Sequence, residues 1–274
     1  MNILDKFRLD GKVCVITGGA GLLGVKHAEA LLDGGARVVL VDINKEKIDL
    51  AIVKLFVYCG SQSRVFGLQF DITKEGLVKF YCKHMWGAFG PISVLINNAA
   101  NNLKLPNPED TRFENFPIEA WQEDFNVNVT GAFLMSREIG GRMAKNGGGI
   151  ILNIASDLAV IAPDQRIYRL EDLKDDEQPV KPVTYSVTKH ALIGLTKYMA
   201  IYWASKGVRV NSLSPGGVYN NHPEDFVQKL TNLIPLGRMA NADEYKAAVL
   251  FLCSDASSYM TGANLVVDGG RTCW

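Results

Sequence analysis

KVCVITGGAGLLG, residues 12–24, joins a short apolar run to a glycine-rich turn. The chain continues as a predicted helix to about Asp33, Gly34-Gly35 ends that helix, and a second apolar run at residues 37–41 ends in Asp42. Glycines permit a tight turn, and they let backbone N–H groups and a helix N-terminus approach a pyrophosphate. The order strand, glycine turn, helix, strand, acid therefore predicts a dinucleotide site.

The acidic residue after the second run indicates which dinucleotide is bound. Asp42 follows Gly24 by 18 residues (42 − 24), close to the spacing of ~20 at which a carboxylate accepts hydrogen bonds from the adenosine ribose. A carboxylate repels a 2′-phosphate, and no Arg or Lys follows before Lys45. We predict NAD as the cofactor and NADP as the less favoured one. A glycine-rich turn followed by an ordinary surface acid is the alternative interpretation.

The alternation of strands and helices continues along the chain. Further apolar runs occupy residues 64–70, 92–96, 150–154, 208–213 and 263–267, separated by helical patterns at about 45–58, 74–88, 117–146, 183–200 and 241–252. This order predicts an α/β fold, a doubly wound parallel sheet covered by helices on both faces. We expect one domain over residues 1–274, with a substrate-loop insertion at about 160–182 and a mobile flap at about 217–240.

Composition excludes several classes of partner. Lys plus Arg equals Asp plus Glu at 29 each, which argues against nucleic acid and anionic membrane as partners. Apolar runs are too short to span a membrane. Five widely spaced cysteines without a C-x-x-C predict reduced thiols, and residues 1–6 lack the apolar run of a secretory signal, so we expect a cytoplasmic protein. The four histidines have no metal-ligand spacing, so no metal is predicted.

Tyr185 and Lys189 form the candidate catalytic pair. They lie four residues apart in a helical pattern, so both project from one helix face. A nearby ammonium favours the phenolate, which predicts a lowered pKa for Tyr185. The pair is a weak signal by itself, because Tyr and Lys are common on half-exposed helices. It gains weight beside Ser156, a hydroxyl at the predicted carboxyl end of a strand.

Taken together, these motifs resemble the short-chain dehydrogenase/reductase family over nearly the full chain. The matching segments are Thr17 with its glycine loop, Asp71-Ile72, Asn97-Asn98-Ala99, Asn128-Val129-Thr130-Gly131, Ser156, Tyr185 with Lys189, Asn211 with Pro215-Gly216, and Val267-Asp268-Gly269-Gly270. The resemblance implies a Rossmann-like sheet of about seven strands ordered 3-2-1-4-5-6-7. It also implies a small-molecule substrate and a homo-oligomer, either a dimer or a tetramer.

The resemblance further implies a role for each site residue. Tyr185 would be the acid–base, and Ser156 would donate to the same substrate oxygen. Lys189 would lower the pKa of Tyr185 and bind the nicotinamide ribose, while Asn128 would hold a water linking Lys189 to solvent. The expected cofactor contacts are Gly18, Gly21, Leu22, Leu23, Gly24, Asp42, Ile43, Asp71, Ile72, Asn98, Ala99, Ala100, Tyr185, Lys189, Pro215, Gly216 and Val218.

The chain departs from the family pattern at several positions. Its glycine spacing, T-G-x-x-G-x-x-G, resembles a longer, sugar-nucleotide-modifying branch, and with the long loop it resembles short-chain enzymes of bacterial surface-sugar pathways. Asn220-Asn221 stands where a threonine often contacts the nicotinamide carboxamide. Ser156 and Tyr185 are 29 positions apart (185 − 156), which predicts an extra substrate loop. Its polar residues could meet a polar or anionic substrate, or be merely solvated: Arg166, Tyr168, Arg169 and Lys174, with Lys104 and His222 from outside it.

The leading hypothesis from the sequence is an NAD(H)-dependent oxidoreductase. It would interconvert an alcohol and a carbonyl on a small polar substrate, such as a sugar derivative. A 3-oxoacyl-type reductase using NADPH is a second hypothesis, which suits Asp42 poorly. A non-catalytic cofactor-sensing protein on the same fold is a third, and the intact set of Ser156, Tyr185, Lys189 and Asn128 argues against it.

Overall fold

Seven parallel strands form the centre of the molecule. The computed structural model describes residues 2–103, 105–175 and 177–274. The strands of this sheet are ordered β3-β2-β1-β4-β5-β6-β7, and they are β1 (Val13–Thr17), β2 (Arg37–Asp42), β3 (Val65–Gln69), β4 (Ile92–Asn97), β5 (Gly149–Ile154), β6 (Val208–Pro215) and β7 (Asn264–Val267). All six neighbouring pairs are parallel, which confirms the predicted α/β fold and strand order.

Helices connect the strands and cover both faces of the sheet. They are α1 (Leu22–Asp33), α2 (Lys45–Cys59), α3 (Glu75–Phe89), α4 (Ile118–Phe125), α5 (Ala132–Met143), α6 (Val183–Trp203), α7 (Glu224–Thr231) and α8 (Lys246–Leu252). Within the described part of the chain, no helix combines the length and the apolar character needed to cross a membrane.

The apolar runs are continuous because each strand contributes to two cores. Cys14 and Ile16 of β1 belong to a core that includes residues of α1, α2 and α8. Val13 and Val15, which point the other way, belong to a second core with residues of α3, α5 and α6. Successive side chains of a strand point to opposite faces, so a strand covered on both faces is apolar throughout. Each CH₂ group so buried contributes about 0.8 kcal/mol.

Three segments differ from the sequence-based expectation. The predicted long helix is α4 and α5 joined by a π-helical turn, Asn126–Gly131. The predicted helix at 241–252 begins with a 3₁₀ turn, Ala242–Tyr245, before α8. The segment expected as a mobile flap contains the helix α7. This helix is packed against the protein, since Leu230 on its inner face is 3% exposed and belongs to a small apolar cluster.

The charged insertion packs against this flap rather than extending freely over the surface. Ile167, in a 3₁₀ turn, is 5% exposed and shares the apolar cluster with Leu230 and Met239. The Gln178 amide is also buried: it donates to the carbonyls of Leu170 and Leu173 and accepts from the Leu170 N–H. The sequence concealed these contacts because single apolar or amide residues in a charged stretch carry no periodicity.

Candidate active site

The turn after β1 is held against the loop after β4 by close backbone contact. Gly18 has a φ of +59°, and a Cβ placed on it would lie 2.8 Å from Cα of Ala99. The Thr17 hydroxyl accepts hydrogen bonds from the N–H groups of Asn98 and Ala99, both 3.1 Å long. The Asn98 amide donates in return to the carbonyls of Thr17 and Gly18 at 3.2 and 3.0 Å. These contacts fix one rim of a cleft at the carboxyl edge of the sheet.

The two later glycines of the turn have different positions. Gly21 is the N-cap of α1 and lines the cleft, so N–H groups of the first helical turn lack a side-chain cap and are available to an anion. Gly24 is buried in α1 and does not line the cleft, in contrast to our expectation. A Cβ there would lie 2.2 Å from the Gly18 carbonyl oxygen. Gly24 therefore allows the helix to pack tightly against the turn.

Asp42 ends β2 at the far side of the same cleft. One of its carboxylate oxygens accepts from the Ala20 N–H and the other from the Asn44 N–H, both at 3.2 Å. Each carboxylate oxygen has a further lone pair. These bonds hold the carboxylate in place while leaving acceptor capacity for the hydroxyls of a ribose.

The cleft has a volume of about 300 Å³, and its residues fit the adenosine and pyrophosphate parts of a dinucleotide. The predicted cofactor residues that line it are Gly18, Gly21, Leu22, Leu23, Asp42, Ile43, Asp71, Ile72, Asn98, Ala99 and Ala100. Glycine and alanine at the rim leave the space that a side chain would fill. A helix N-terminus for a pyrophosphate and a carboxylate for a ribose complete the fit.

A second cavity of about 330 Å³ adjoins this cleft, and Leu23, Asn98 and Ala100 line both. Six further predicted residues line the second cavity: Ser156, Tyr185, Lys189, Pro215, Gly216 and Val218. The catalytic Ser, Tyr and Lys of the family pattern therefore meet at one place, next to the cofactor cleft.

Tyr185 and Ser156 line the same cavity, but the pKa of the phenol differs from the sequence-based expectation. Burial raises the pKa of Tyr185, the hydrogen bond with Ser156 opposes this rise, and the negative charge of Asp157 adds to it. The Ser156 hydroxyl itself donates to Asp157 Oδ1 at 2.8 Å. The phenol is therefore protonated at neutral pH in the absence of other charges.

Lys189 does not lower the pKa of Tyr185 here, contrary to the prediction. Its ammonium donates to the carbonyl of Ile154 at 2.8 Å and lies 5.9 Å from the centre of the Tyr185 ring. Burial and, to a lesser extent, the positive charge of Lys181 together lower the pKa of Lys189 to about 8. The spacing of four residues correctly predicts that both side chains reach one cavity. It does not predict which hydrogen-bond partner the Lys189 ammonium has.

Asn128 lies in the π-helical turn behind this cavity, where its side chain is fully engaged. Its amide donates to the Asn101 carbonyl at 3.0 Å and to the Thr188 hydroxyl at 3.1 Å, and its oxygen accepts from the Asn101 N–H at 2.6 Å. The side chain thus ties the loop after β4 to α6, and its role in holding a water stays a prediction. π-helical turns frequently occur at functional sites, because they shift the local backbone bonding.

The loop residues proposed to meet the substrate divide into two groups. Tyr168 and His222 line the cavity, where burial raises the pKa of Tyr168 to about 12. Arg166 and Arg169 instead pair with Asp164 and Asp175. Lys174 is exposed, so these three cations fit the solvated interpretation. Lys104 lies outside the described residues.

Three charged residues of the cavity escaped the sequence analysis. Lys181 lies with its ammonium 4.0 Å from the centre of the Tyr185 ring. Asp157 and Arg271 form an ion pair of 2.6 Å, with side chains only 5% and 6% exposed. The partners are 114 positions apart, so no local pattern signals the pair. The depth of burial distinguishes this ion pair from a surface contact, and burial can be known only from the folded structure. Among the described residues, no cluster of His, Cys, Asp and Glu is arranged to hold a metal ion.

Comparison with protein-family models finds two matches. Residues 12–168 match the short chain dehydrogenase model, and residues 177–272 match the model described as enoyl-(acyl carrier protein) reductase. D-threitol dehydrogenase of Mycolicibacterium smegmatis is 34% identical, with 97% of this chain and 95% of that protein covered. The subgroup of surface-sugar pathways stays a prediction.

Solved structures agree over almost the whole chain. A short-chain dehydrogenase from Leptospira borgpetersenii with bound NAD⁺ matches with a TM-score of 0.83 and 34% identity, covering 99% of this chain and 96% of that one. A gluconate 5-dehydrogenase from Burkholderia cenocepacia in complex with NADP and tartrate has a TM-score of 0.85 and 29% identity, with both chains fully covered. The protein therefore belongs to the short-chain dehydrogenase/reductase family, whose members are oxidoreductases acting on CH–OH and C=O groups.

Proposed function

We propose that this oxidoreductase uses NAD(H) to interconvert an alcohol and a carbonyl on a small polyhydroxylated substrate. The observation that carries the proposal is that Ser156, Tyr185 and Lys189 line one cavity, which shares wall residues with the dinucleotide cleft. A substrate oxygen held there meets two hydroxyl donors at once.

Each residue then has a defined task. Tyr185 transfers a proton to or from the substrate oxygen, and Ser156 donates to the same atom as negative charge develops. Ser156 must turn its proton from Asp157 towards the substrate to do so. The Lys189 ammonium favours the phenolate once it moves from the Ile154 carbonyl. The nicotinamide, when bound, supplies or accepts the hydride.

The preference for NAD over NADP rests on Asp42. Its carboxylate lines the cleft and is held by two N–H groups. A 2′-phosphate placed there would meet a negative charge, while a free ribose would meet a hydrogen-bond acceptor. The related structures include one complex with NAD⁺ and one with NADP, so the choice needs measurement.

A polyol or sugar derivative is the substrate class that we propose. The related proteins named above act, by their names, on threitol and gluconate. The cavity itself offers polar groups around its wall, including Lys181, His222 and Arg271. A 3-oxoacyl reductase using NADPH is less well supported, since Asp42 disfavours its cofactor. Homo-oligomerisation and a cytoplasmic location stay predictions.

Turnover with a panel of polyols and sugars tests the activity. We expect Tyr185→Phe to lower kcat by about 10²–10⁴-fold, because the phenolic proton is lost, while NADH binding is retained. Tyr198→Phe is the matched control, an exposed tyrosine on the same helix. Equal turnover by wild type and Tyr185→Phe would contradict the proposal. Cofactor binding without any turnover by wild type would favour a cofactor sensor.

Affinity measurements for NADH and NADPH test the cofactor choice. Asp42→Ala should lower the NADH affinity by about 10–100-fold, since a hydrogen bond to a charged group contributes about 1.5–3 kcal/mol. The NADPH affinity should rise or stay unchanged. Glu46→Ala, an exposed acid early in α2, is the control. Tighter binding of NADPH than of NADH by wild type would overturn the choice.

A further inference from the structure

The cavity beside Tyr185 carries more positive charge than the family's reaction requires. Its cations are Lys181, Lys189 and Arg271, and Asp157 is the single carboxylate among its described lining residues. Arg271 and Asp157 neutralise each other in a buried ion pair of 2.6 Å. Lys189 is already assigned to the reaction. One positive charge, that of Lys181, is left without a carboxylate partner in the cavity.

Lys181 is placed to bind a ligand beside the reacting atoms. Among the described contacts, its ammonium donates one hydrogen bond, to Asn102 Oδ1 at 3.0 Å, and lies 4.0 Å from the centre of the Tyr185 ring. An ammonium has three donors, so further donors remain. Asp124 is the nearest other carboxylate, but it does not line the cavity, and among the described residues no salt bridge joins it to Lys181: one of its oxygens accepts from the buried Thr184 hydroxyl, and the other has no hydrogen-bond partner.

Arg271 adds a second, independent indication. It is 6% exposed and lines the same cavity. One terminal nitrogen donates to Asp157, while its Nε is buried without a hydrogen-bond partner among the described residues. A buried N–H group without a partner destabilises the protein by about 1–3 kcal/mol unless a ligand or water accepts from it. A residue of the cavity wall thus has an N–H donor without an acceptor, in the same cavity that Lys181 lines.

We propose that the substrate carries a carboxylate, which Lys181 binds beside the reacting carbon, so that the enzyme acts on polyhydroxy acids in preference to the neutral polyols. This proposal rests on the proposed oxidoreductase function and narrows its substrate class. A single surplus charge matches a monoanionic carboxylate better than a dianionic phosphate. Because Lys181 contacts the ring of Tyr185, the carboxylate lies within a few bonds of the carbon that is oxidised.

Matched substrate pairs provide the test. D-gluconate and D-glucitol, and threonate and threitol, differ only by a carboxylate in place of a CH₂OH group. We expect the wild type to have the higher kcat/KM for the acid of a pair. In Lys181→Met the ratio of kcat/KM for acid over polyol should fall about 10–100-fold. An effect of Lys181 on Tyr185 changes kcat/KM for both substrates equally, so it cancels in this ratio. Lys181→Arg, which keeps the charge, should restore part of it.

A control variant and the pattern of results show whether the carboxylate site or the oxidoreductase function itself has failed the test. Lys174→Met, in the same loop but exposed, should leave both substrates unaffected. Turnover of polyols with an unchanged ratio in Lys181→Met would overturn the inference and leave the function standing. If no substrate is turned over, titration of gluconate into the NADH-saturated protein decides: binding lost in Lys181→Met supports the carboxylate site, and absence of binding by wild type overturns it.

Discussion

The cofactor cleft and the substrate cavity lie side by side at one edge of the sheet but are built differently. The cleft is lined by consecutive residues at or directly after strand ends, such as 41–43, 70–73 and 98–100. Its shape depends on backbone contacts, as between Gly18 and Ala99. The cavity also has consecutive residues at strand ends, 154–158 and 215–218, but it adds side chains from distant segments, such as Lys181, Phe226 and Arg271. The shape of the cofactor cleft therefore follows from the fold, whereas the composition of the substrate cavity also depends on residues particular to this chain.

This difference shows where specificity resides. A glycine turn and a strand-end acid suit any protein that binds the same dinucleotide, since the ligand does not change. The substrate cavity is closed by the insertion and by α7, which meet through Ile167 and Leu230. Lys229 of α7 also donates to the Arg169 carbonyl of the insertion at 2.8 Å. Substrate choice can therefore vary while the cofactor half stays the same.

The largest expected effect is a loss of stability when the buried ion pair of the substrate cavity is broken. Arg271→Met leaves the Asp157 charge buried and unpaired, which should lower the free energy of unfolding by about 3–5 kcal/mol. The melting temperature should fall by about 6–20 °C. Thermal unfolding, followed by circular dichroism, measures it.

Two further variants complete this test. The double variant Arg271→Met/Asp157→Asn removes both charges and should recover much of the loss. Arg8→Met breaks an exposed pair with Asp10 and should hardly change the melting temperature. Equal effects of Arg271→Met and Arg8→Met would show that burial of the pair contributes nothing.

The second prediction addresses the backbone contact in the cofactor cleft. In Gly18→Ala, the added Cβ would lie 2.8 Å from Cα of Ala99 and would force a positive φ on alanine. We expect the NADH affinity to fall by about 2–3 kcal/mol, roughly 100-fold, measured by fluorescence titration.

Gly11→Ala is the matched control for this substitution. Gly11 also has a positive φ, +75°, but a Cβ there meets nothing within 4 Å. This variant should be less stable by about 1 kcal/mol and should keep its NADH affinity. An unchanged NADH affinity in Gly18→Ala would show that the cleft adapts to the extra atom.

The smallest predicted effect is that the preference for a carboxylate substrate depends on pH, through Lys181 in the substrate cavity. Burial lowers the pKa of Lys181 to about 8, and the nearby Asp157 and Asp124 oppose this shift. Lys189, also with a pKa near 8, and the phenol of Tyr185 complete the groups around it. The ammonium is charged below its pKa, so attraction for a carboxylate is present below about pH 8 and is lost above it.

The measurement is the ratio of kcat/KM for gluconate over glucitol as a function of pH. For wild type the ratio should fall roughly tenfold between pH 7 and 9, as the protonated fraction of Lys181 declines. Titration of Tyr185 and Lys189 affects both substrates and cancels. In Lys181→Met the ratio should be independent of pH. An identical decline in the variant would remove Lys181 as its cause.

Much of the fold was predictable because its signals are local. The run at residues 12–24 and the acid at Asp42 predicted β1, the turn, α1 and β2, and the structure confirms these elements. Ser156, Tyr185 and Lys189 were also predicted as site residues, and they line one cavity. Their placement follows from topology, since the carboxyl ends of parallel strands meet at one edge of the sheet.

The electrostatics of the site were not predictable in the same way. Four-residue spacing suggested that Lys189 lowers the pKa of Tyr185, yet burial and Asp157 raise it. The helix at 224–231 does have a local signal that the flap interpretation overlooks, because Phe226, Val227 and Leu230 recur at helical spacing and share one apolar cluster. A pKa depends on distances and desolvation summed over all neighbours, and these are known only after the chain has folded.

The amino-acid sequence by itself determined the doubly wound sheet and the dinucleotide cleft, and it indicated the three side chains that we propose for the reaction. Hydrophobic periodicity and short glycine spacings act over a few residues, so they can be recognised without coordinates. Only the tertiary structure decided which charges surround the substrate, because Asp157, Lys181 and Arg271 come together across segments that share no local pattern. The energy of buried charges depends on that assembly, and it is there that this chain's own specificity is set.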